Sequence, residues 1–383
     1  MTPPLRWNPA ATAVAAYLAV RLVGVCVLAV FAIVHHVPLD ALLTRWDGKW
    51  MLDIARYGYD GVPTSGTDAQ GVHTDTTAYA FFPGYPLLVG ALAALPLISP
   101  FGAGIVLNVV FGAVGAVGVA RLGSLCARQM RPDASEATAR NTGLMLVVLF
   151  AATPMSVVLS MTYTEAMFCA LAAWALVGVL EHRWILAGLS ACAVGLVRPT
   201  GIAVIVVVML AAALTRHNGS RAWIGGVLAP LGYVAYMCVV WARTGSPSGW
   251  FHIQTQGWDT SFDGGKAVGE FVFTSLTDSS DAVSVLASLV IIAAVVLLVW
   301  SAIDRVPWPV LAYAALVYAS VLLSSGLMPS RPRLLLPAFV VLLPVAIRLA
   351  RSSRPAAISA AVAVALASAW FGAFMLTVFD FAI

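Results

Sequence analysis

Apolar positions along the chain fall in long unbroken runs, separated by short stretches rich in arginine, glycine and proline. There is no period-two alternation of the kind that marks half-buried strands, and runs of this length read as helices that cross a bilayer. They occupy about 11–35, 102–122, 141–160, 165–180, 185–197, 201–215, 222–242, 283–303, 308–325, 334–349 and 356–378. The runs 185–197 and 201–215 are short for a bilayer and are divided by Arg198-Pro199, so they are either one broken element or two helices meeting at an edge. A further run, 81–98, begins FFPGYPLL and is punctuated by Pro83, Pro86 and Pro96; it reads as a helix lying along the interface. The pattern predicts one all-α, polytopic transmembrane helical bundle over 1–383 with about eleven spans. Two long segments interrupt it, 36–81 with interfacial helices and 243–282.

Composition agrees. Of 383 residues 61% are hydrophobic and only 10% charged, and the mean hydropathy is +0.93. Soluble domains carry about a quarter charged residues, so a soluble enzyme, a disordered chain and a disulfide scaffold are excluded. The five cysteines (Cys26, Cys126, Cys169, Cys192, Cys238) form no CxxC pair and read as small packing residues. The first apolar run lacks a convincing cleavage site and reads as a retained span. A net charge of +4 does not indicate nucleic acid, because the basic residues sit in short turns where helix orientation explains them.

Charge placement then predicts topology. With 81–98 outside the membrane, one set of loops holds Arg6, Arg121, Arg128, Arg131, Arg140, Arg183, Arg216, Arg221, Arg305, Arg348, Arg351 and Arg354. The other holds Arg45, Lys49, Arg56, Arg198, Arg243, Lys266, Arg331 and Arg333. The first set lies in short loops, which the positive-inside rule assigns to the cytoplasm together with the N-terminus. Thirteen of the seventeen carboxylates, Asp380 among them, then face out with both long segments. Loops of that size in a compact membrane protein are usually functional, so the expected location is a cell membrane with an extracytoplasmic working face.

The candidate chemistry clusters there. In Thr44-Arg45-Trp46-Asp47-Gly48-Lys49-Trp50, a helix from Trp46 to Ala55 places Asp47 near the membrane surface. Arg45 and Lys49 flank it, and neighbouring cations favour the charged carboxylate that a general base requires. Asp53 is a second candidate on a different helical face. Ser160-Met161-Thr162-Tyr163-Thr164-Glu165 joins two runs, with Glu165 opening a helix beneath a Thr164 cap. Arg198, fixed beside a proline break, suits phosphate recognition. Arg331 and Arg333 supply two more cations, and the segment Phe251–Asp259 supplies His252 in a loop, Gln256 and Trp258. Arg21, midway along the first run, must be paired or hydrated. Gly112, Gly115 and Gly118 have no preceding strand and read as helix packing. Asn218-Gly219-Ser220 is a glycosylation sequon in a cytoplasmic loop. No His/Cys/Glu set has zinc spacing and there is no P-loop.

Taken in order, Arg45-Trp46-Asp47-Gly48, Phe81-Phe82-Pro83-Gly84-Tyr85-Pro86, Tyr163-Thr164-Glu165-Ala166-Met167-Phe168, Arg198-Pro199-Thr200-Gly201 and Gln256-Gly257-Trp258 resemble the PIG-V-like mannosyltransferases. These are relatives of the second mannosyltransferase of glycosylphosphatidylinositol (GPI) anchor synthesis, within the GT-C glycosyltransferases. The resemblance implies an inverting transfer of mannose from a polyprenyl-phosphate carrier to an acceptor hydroxyl. Asp47 would be the base; Arg198, Arg331 and Arg333 would face the departing lipid phosphate. Glu165 would orient the surroundings of Asp47 or hold sugar hydroxyls, and Arg45, Trp46, Lys49, Tyr163, His252, Gln256 and Trp258 complete the substrate-binding set. No cofactor is expected, and metal dependence is not indicated. Lysine is confined to Lys49 and Lys266, a bias that points to a GC-rich bacterial genome. Bacteria lack GPI anchors, so the acceptor would be a mannolipid, a glycan or a protein hydroxyl. The competing readings are a transporter or flippase of lipid-linked sugars, and a purely structural subunit.

Overall fold

The computed structural model describes residues 8–215, 219–279 and 281–379. Arg6, Arg216, Asn218 and Asp380 lie outside these residues. Among the described residues eighteen α-helices follow one another and there is no strand, only an isolated bridge between Phe262 and Ser324. Several helix starts are written in the sequence. Ser99 caps the N–H of Gly102 with Pro100 at the first helical position, and Asp281 and Ser353 cap in the same way.

Helix α1 (Pro9–Val34) leads into the first long segment, which carries α2 (Leu39–Leu43), α3 (Asp47–Tyr57) and α4 (Gly84–Ala93). Next come α5 (Pro100–Met130), α6 (Glu136–Ala151), α7 (Glu165–Leu180), α8 (Trp184–Val194) and α9 (Gly201–Leu214). Helices α10 (Ser220–Leu228) and α11 (Leu231–Thr244) precede the second long segment, with α12 (Gly249–Trp258) and α13 (Lys266–Thr277). The chain ends with α14 (Ala282–Ile303), α15 (Trp308–Leu322), α16 (Arg331–Leu335), α17 (Leu343–Arg351) and α18 (Arg354–Thr377).

Among the described residues six stretches are long and apolar enough to cross a membrane: Pro9–Val34, Pro100–Met130, Ser220–Thr244, Ala282–Ile303, Arg331–Arg351 and Arg354–Thr377. The other runs fold as shorter helices, for identifiable reasons. The run 141–160 is a helix only to Ala151, after which Pro154 opens a break that resumes as a 3-10 turn at Ser156–Ser160. Arg198-Pro199 separates two helices, α8 and α9, packed on each other. Helix α4 has ten residues, about 15 Å at 1.5 Å per residue, half a bilayer core. The run 334–349 is interrupted by a 3-10 stretch, Leu336–Leu342.

At the centre, α5 packs against α1, α6 and α7. Helix α7 is buried almost all round, which is why its sequence is apolar without a polar face. Gly112 of α5 lies against the Tyr17 ring of α1, while Gly115 and Gly118 lie against Ala170 and Ala173 of α7. A side chain at Gly112 would place its Cβ 2.5 Å from that ring, so the three glycines serve close helix approach. Arg21 is buried in α1 and donates to the Ala151 carbonyl at 2.8 Å and to the hydroxyls of Ser156 at 2.6 Å and Ser160 at 3.0 Å. Its partners are therefore the oxygens exposed where α6 breaks.

Candidate functional site

The short helix α3 begins in an unusual way. Trp46 has φ 51° and ψ −115°, a conformation costly for a bulky L-residue and maintained only by its surroundings. Those surroundings are the 161–164 segment: Thr162 N–H donates to the Leu43 carbonyl at 3.0 Å, and the Tyr163 hydroxyl donates to the Arg45 carbonyl at 3.1 Å. Gly48 completes the fit, since a Cβ there would lie 2.6 Å from the Thr162 hydroxyl. The predicted helix thus starts one residue later than the sequence suggested, at Asp47.

Four charged side chains form one chain of contacts. Asp47 Oδ2 meets Arg333 Nη1 at 2.8 Å. Arg333 Nε lies 3.7 Å from Glu165 Oε1, and the same oxygen is paired with Arg198. The Arg333 guanidinium also sits over the Tyr163 ring, 5.2 Å from its centroid. Glu165 is fully buried, whereas the Asp47 side chain keeps 33% exposure. Alternating signs leave the set with no net charge, the arrangement that makes buried ions tolerable. Burial first, and then the charge of Asp47, hold the Tyr163 phenol well above its ordinary pKa, so it acts as a neutral donor.

Two other motifs support this group. Gly84 N–H donates to the Leu196 carbonyl at 2.7 Å, docking the FFPGYP segment on the turn that carries Arg198. Thr164 precedes α7 but makes no side-chain cap; its hydroxyl accepts from Arg198 at 3.4 Å. The expected Thr164 cap is therefore replaced by a contact to the cation that neutralises Glu165.

A groove of about 510 Å³ is lined by Val37, Ala41, Thr44, Arg45, Trp46 and Lys49, the sequence neighbours of Asp47 but not Asp47 itself. Arg45 donates to the Leu376 carbonyl at 2.7 Å and lies over the Trp46 ring. Neither Arg45 nor Lys49 forms an ion pair with a described carboxylate. Asp53, half-buried on another face of α3, has its carboxyl pushed up by burial, against the pull of Lys49 and Arg56.

The remaining candidates lie elsewhere. Arg331 is a structural tie: its guanidinium donates to the carbonyls of Val321, Ser324 and Ser325 at 2.6–2.7 Å, fastening α16 to the end of α15. The cation expected to face the lipid phosphate thus has both terminal nitrogens engaged by backbone carbonyls. His252 is in α12, exposed and 2.9 Å from the Ser248 hydroxyl, rather than in a loop. Gln256 and Trp258 line a smaller cavity together with Asp68, Thr74, Thr76 and Thr77. Sequence reasoning missed these last four; the density of threonine and aspartate over 64–77 was the available signal. Among the described residues no group of three or more His, Cys, Asp or Glu gathers as a metal site would require.

No protein-family model matches the chain, and neither does any curated protein sequence. Among solved structures it is similar to ArnT from Cupriavidus metallidurans bound to undecaprenyl phosphate, with a TM-score of 0.53 and 16% identity over 88% of this chain and 62% of that one. It is also similar to the same protein in the apo state, with a TM-score of 0.50 and 16% identity over 82% and 56%. The chain thus spans less than two thirds of the length of these structures. The likeness is one of fold: an all-α, multi-pass membrane bundle.

Proposed function

We propose that the chain is an inverting glycosyltransferase of the PIG-V-like kind, moving a mannosyl residue from a polyprenyl-phosphate donor to an acceptor hydroxyl on the extracytoplasmic face. The observation that carries this reading is a partly exposed carboxylate, Asp47, at the outer end of a buried charge chain, with its sequence neighbours Arg45 and Lys49 lining a groove and engaged in no ion pair among the described residues. The ArnT structure with undecaprenyl phosphate supports a lipid-phosphate ligand for this fold.

In the reaction, the acceptor O–H proton passes to an Asp47 carboxylate oxygen as the acceptor oxygen bonds to the anomeric carbon. The bond from that carbon to the phosphate oxygen breaks, and its electron pair leaves with the polyprenyl phosphate. The attack comes from the side opposite the phosphate, so the anomeric centre inverts. The leaving group gains one negative charge, and cations fixed in place before the reaction stabilise it most. Arg45 and Lys49 are available for that charge without breaking any ion pair, and Arg333 is held by two carboxylates between which it can be shared. Glu165 keeps Arg198 and Arg333 in place, as a positioning residue. A lipid phosphate leaving group requires no nucleotide site.

A transporter would line its path with ionisable groups at depth. Of the two features that lean that way, Arg21 is instead tied to the broken end of α6, and the Arg198-Pro199 break carries an arginine paired with Glu165. The test is transfer from radiolabelled polyprenyl-phosphate-mannose to candidate acceptor lipids by purified protein. Turnover that survives Asp47→Asn removes Asp47 as base. Absence of transfer from any polyprenyl donor, with measurable flipping of the lipid-linked sugar, replaces the transferase by a transporter.

A further inference from the structure

The two long segments meet away from the charge chain. The loop after residue 66 closes on itself around Asp68: its Oδ1 accepts the N–H groups of Gln70 and Val72, both at 2.9 Å. The N–H of Ala69 donates to the Gly257 carbonyl at 3.0 Å, fastening the loop to the end of α12. Gly257 allows this approach, since a Cβ there would sit 3.0 Å from Asp68 Oδ2. Between the two elements lies a cavity of about 160 Å³.

Its wall has a particular chemistry. Asp68 Oδ2 and the Gln256 amide make no hydrogen bond to a described residue, and Thr76 and Thr77 add hydroxyls. Trp258 contributes an apolar ring held edge-on by Phe81, with centroids 5.6 Å apart. No lysine or arginine lines the cavity, and the carboxylate disfavours an anion. A small cavity with one aromatic surface and several convergent donors and acceptors suits a compact neutral molecule with hydroxyls round its rim and a C–H face. That is the chemistry of a pyranose ring. The cavity is also linked to the proposed base: Phe81 stacks on Trp50 at 5.2 Å, and Trp50 lies one turn after Asp47 on α3.

We propose that this cavity is a subsite for a neutral pyranose unit of the acceptor, which makes the acceptor a glycan rather than a protein hydroxyl. The assignment of that sugar to the acceptor rests on the transferase reading; the binding of a pyranose does not.

The test uses the full chain in lipid nanodiscs, without donor, titrated with methyl α-D-mannopyranoside and methyl α-D-glucopyranoside and followed by saturation-transfer NMR. Asp68→Asn and Gln256→Ala are expected to weaken binding about tenfold, the effect of a lost hydrogen bond, with unchanged thermal melting. Glu270→Gln, at an exposed position on α13, is expected to bind as wild type. Equal binding in all variants overturns the subsite, as does displacement of the glycoside by inorganic phosphate. In the transfer assay the two cavity variants are expected to raise the acceptor KM while donor KM and kcat hold. Transfer with unchanged acceptor KM in both variants overturns the subsite and leaves the transferase reading intact. Site-specific glycoside binding without transfer from any polyprenyl donor overturns the transferase reading and leaves the subsite.

Discussion

Arg21 and Arg333 are equally hidden, each 7% exposed, yet they are held in opposite ways. Arg21 is surrounded by a carbonyl and two hydroxyls where α6 breaks. Arg333 lies between the carboxylates of Asp47 and Glu165. Neutral oxygens make a static tie, because each one satisfies a donor and nothing else in the site changes charge. Carboxylates leave the pairing movable: when one anion gains a proton, the guanidinium can shift to the other. Arg331, two residues from Arg333 and 3% exposed, belongs with Arg21, clasping carbonyls. Burial alone therefore does not say how a buried arginine is held. The charge of its partners does.

The comparison predicts measurable differences. The largest is expected for Glu165→Ala, which leaves Arg198 and Arg333 without their shared anion. Breaking a buried pair on one side costs about 3–5 kcal/mol, to be read from denaturant unfolding in detergent. Next comes Asp47→Asn, expected to lower transfer at least about 100-fold through loss of the base. It should change stability far less than Glu165→Ala, because Asp47 is partly solvated and Arg333 keeps its second carboxylate. Arg21→Met should cost below about 2 kcal/mol, since removing a charge held by neutral groups strands no opposite charge. If Arg21→Met proved more damaging than Glu165→Ala, the distinction between the two sites would collapse.

The smallest effect extends the comparison to a solvated charge. The Ser284 hydroxyl and the N–H groups of Val283 and Ser284 hold the Asp281 carboxyl below the usual carboxylate range. Its folded-state pKa is depressed, so its stabilising contribution is complete above the ordinary value near about 3.9. The contribution is lost as pH falls through the folded pKa. The stability difference between wild type and Asp281→Asn should accordingly shrink as the solution is acidified, and thermal melting across the acid range measures it.

Much of this molecule can be read from its residues in order. Long apolar runs dictate helices, and the prolines at 199, 230 and 307 mark places where they stop or kink. Asp47, Glu165 and Arg198 stand out as charges among apolar and aromatic neighbours, and the structure brings all three into one chain of contacts through Arg333. What order could not convey is pairing. Arg331 and Arg333 look alike in sequence, both cations ahead of an apolar run. The five-residue helix α16 turns one toward the carbonyls ending α15 and the other toward the carboxylates. The glycines of the RWDG, FFPG and QGW strings show the same limit. Each acquires its reason only from a distant partner: Thr162, Leu196 and Asp68.

The sequence by itself determined that this is a helical membrane protein and which charges had to be accommodated, because hydrophobic transfer and the cost of burying ions depend on residue type and run length. The tertiary structure alone decided which arginine answers which carboxylate, and that Asp68 meets Gly257 across nearly two hundred residues of chain. Electrostatic pairing and cavity shape depend on distances of a few ångströms between segments far apart in sequence, and only packing sets those.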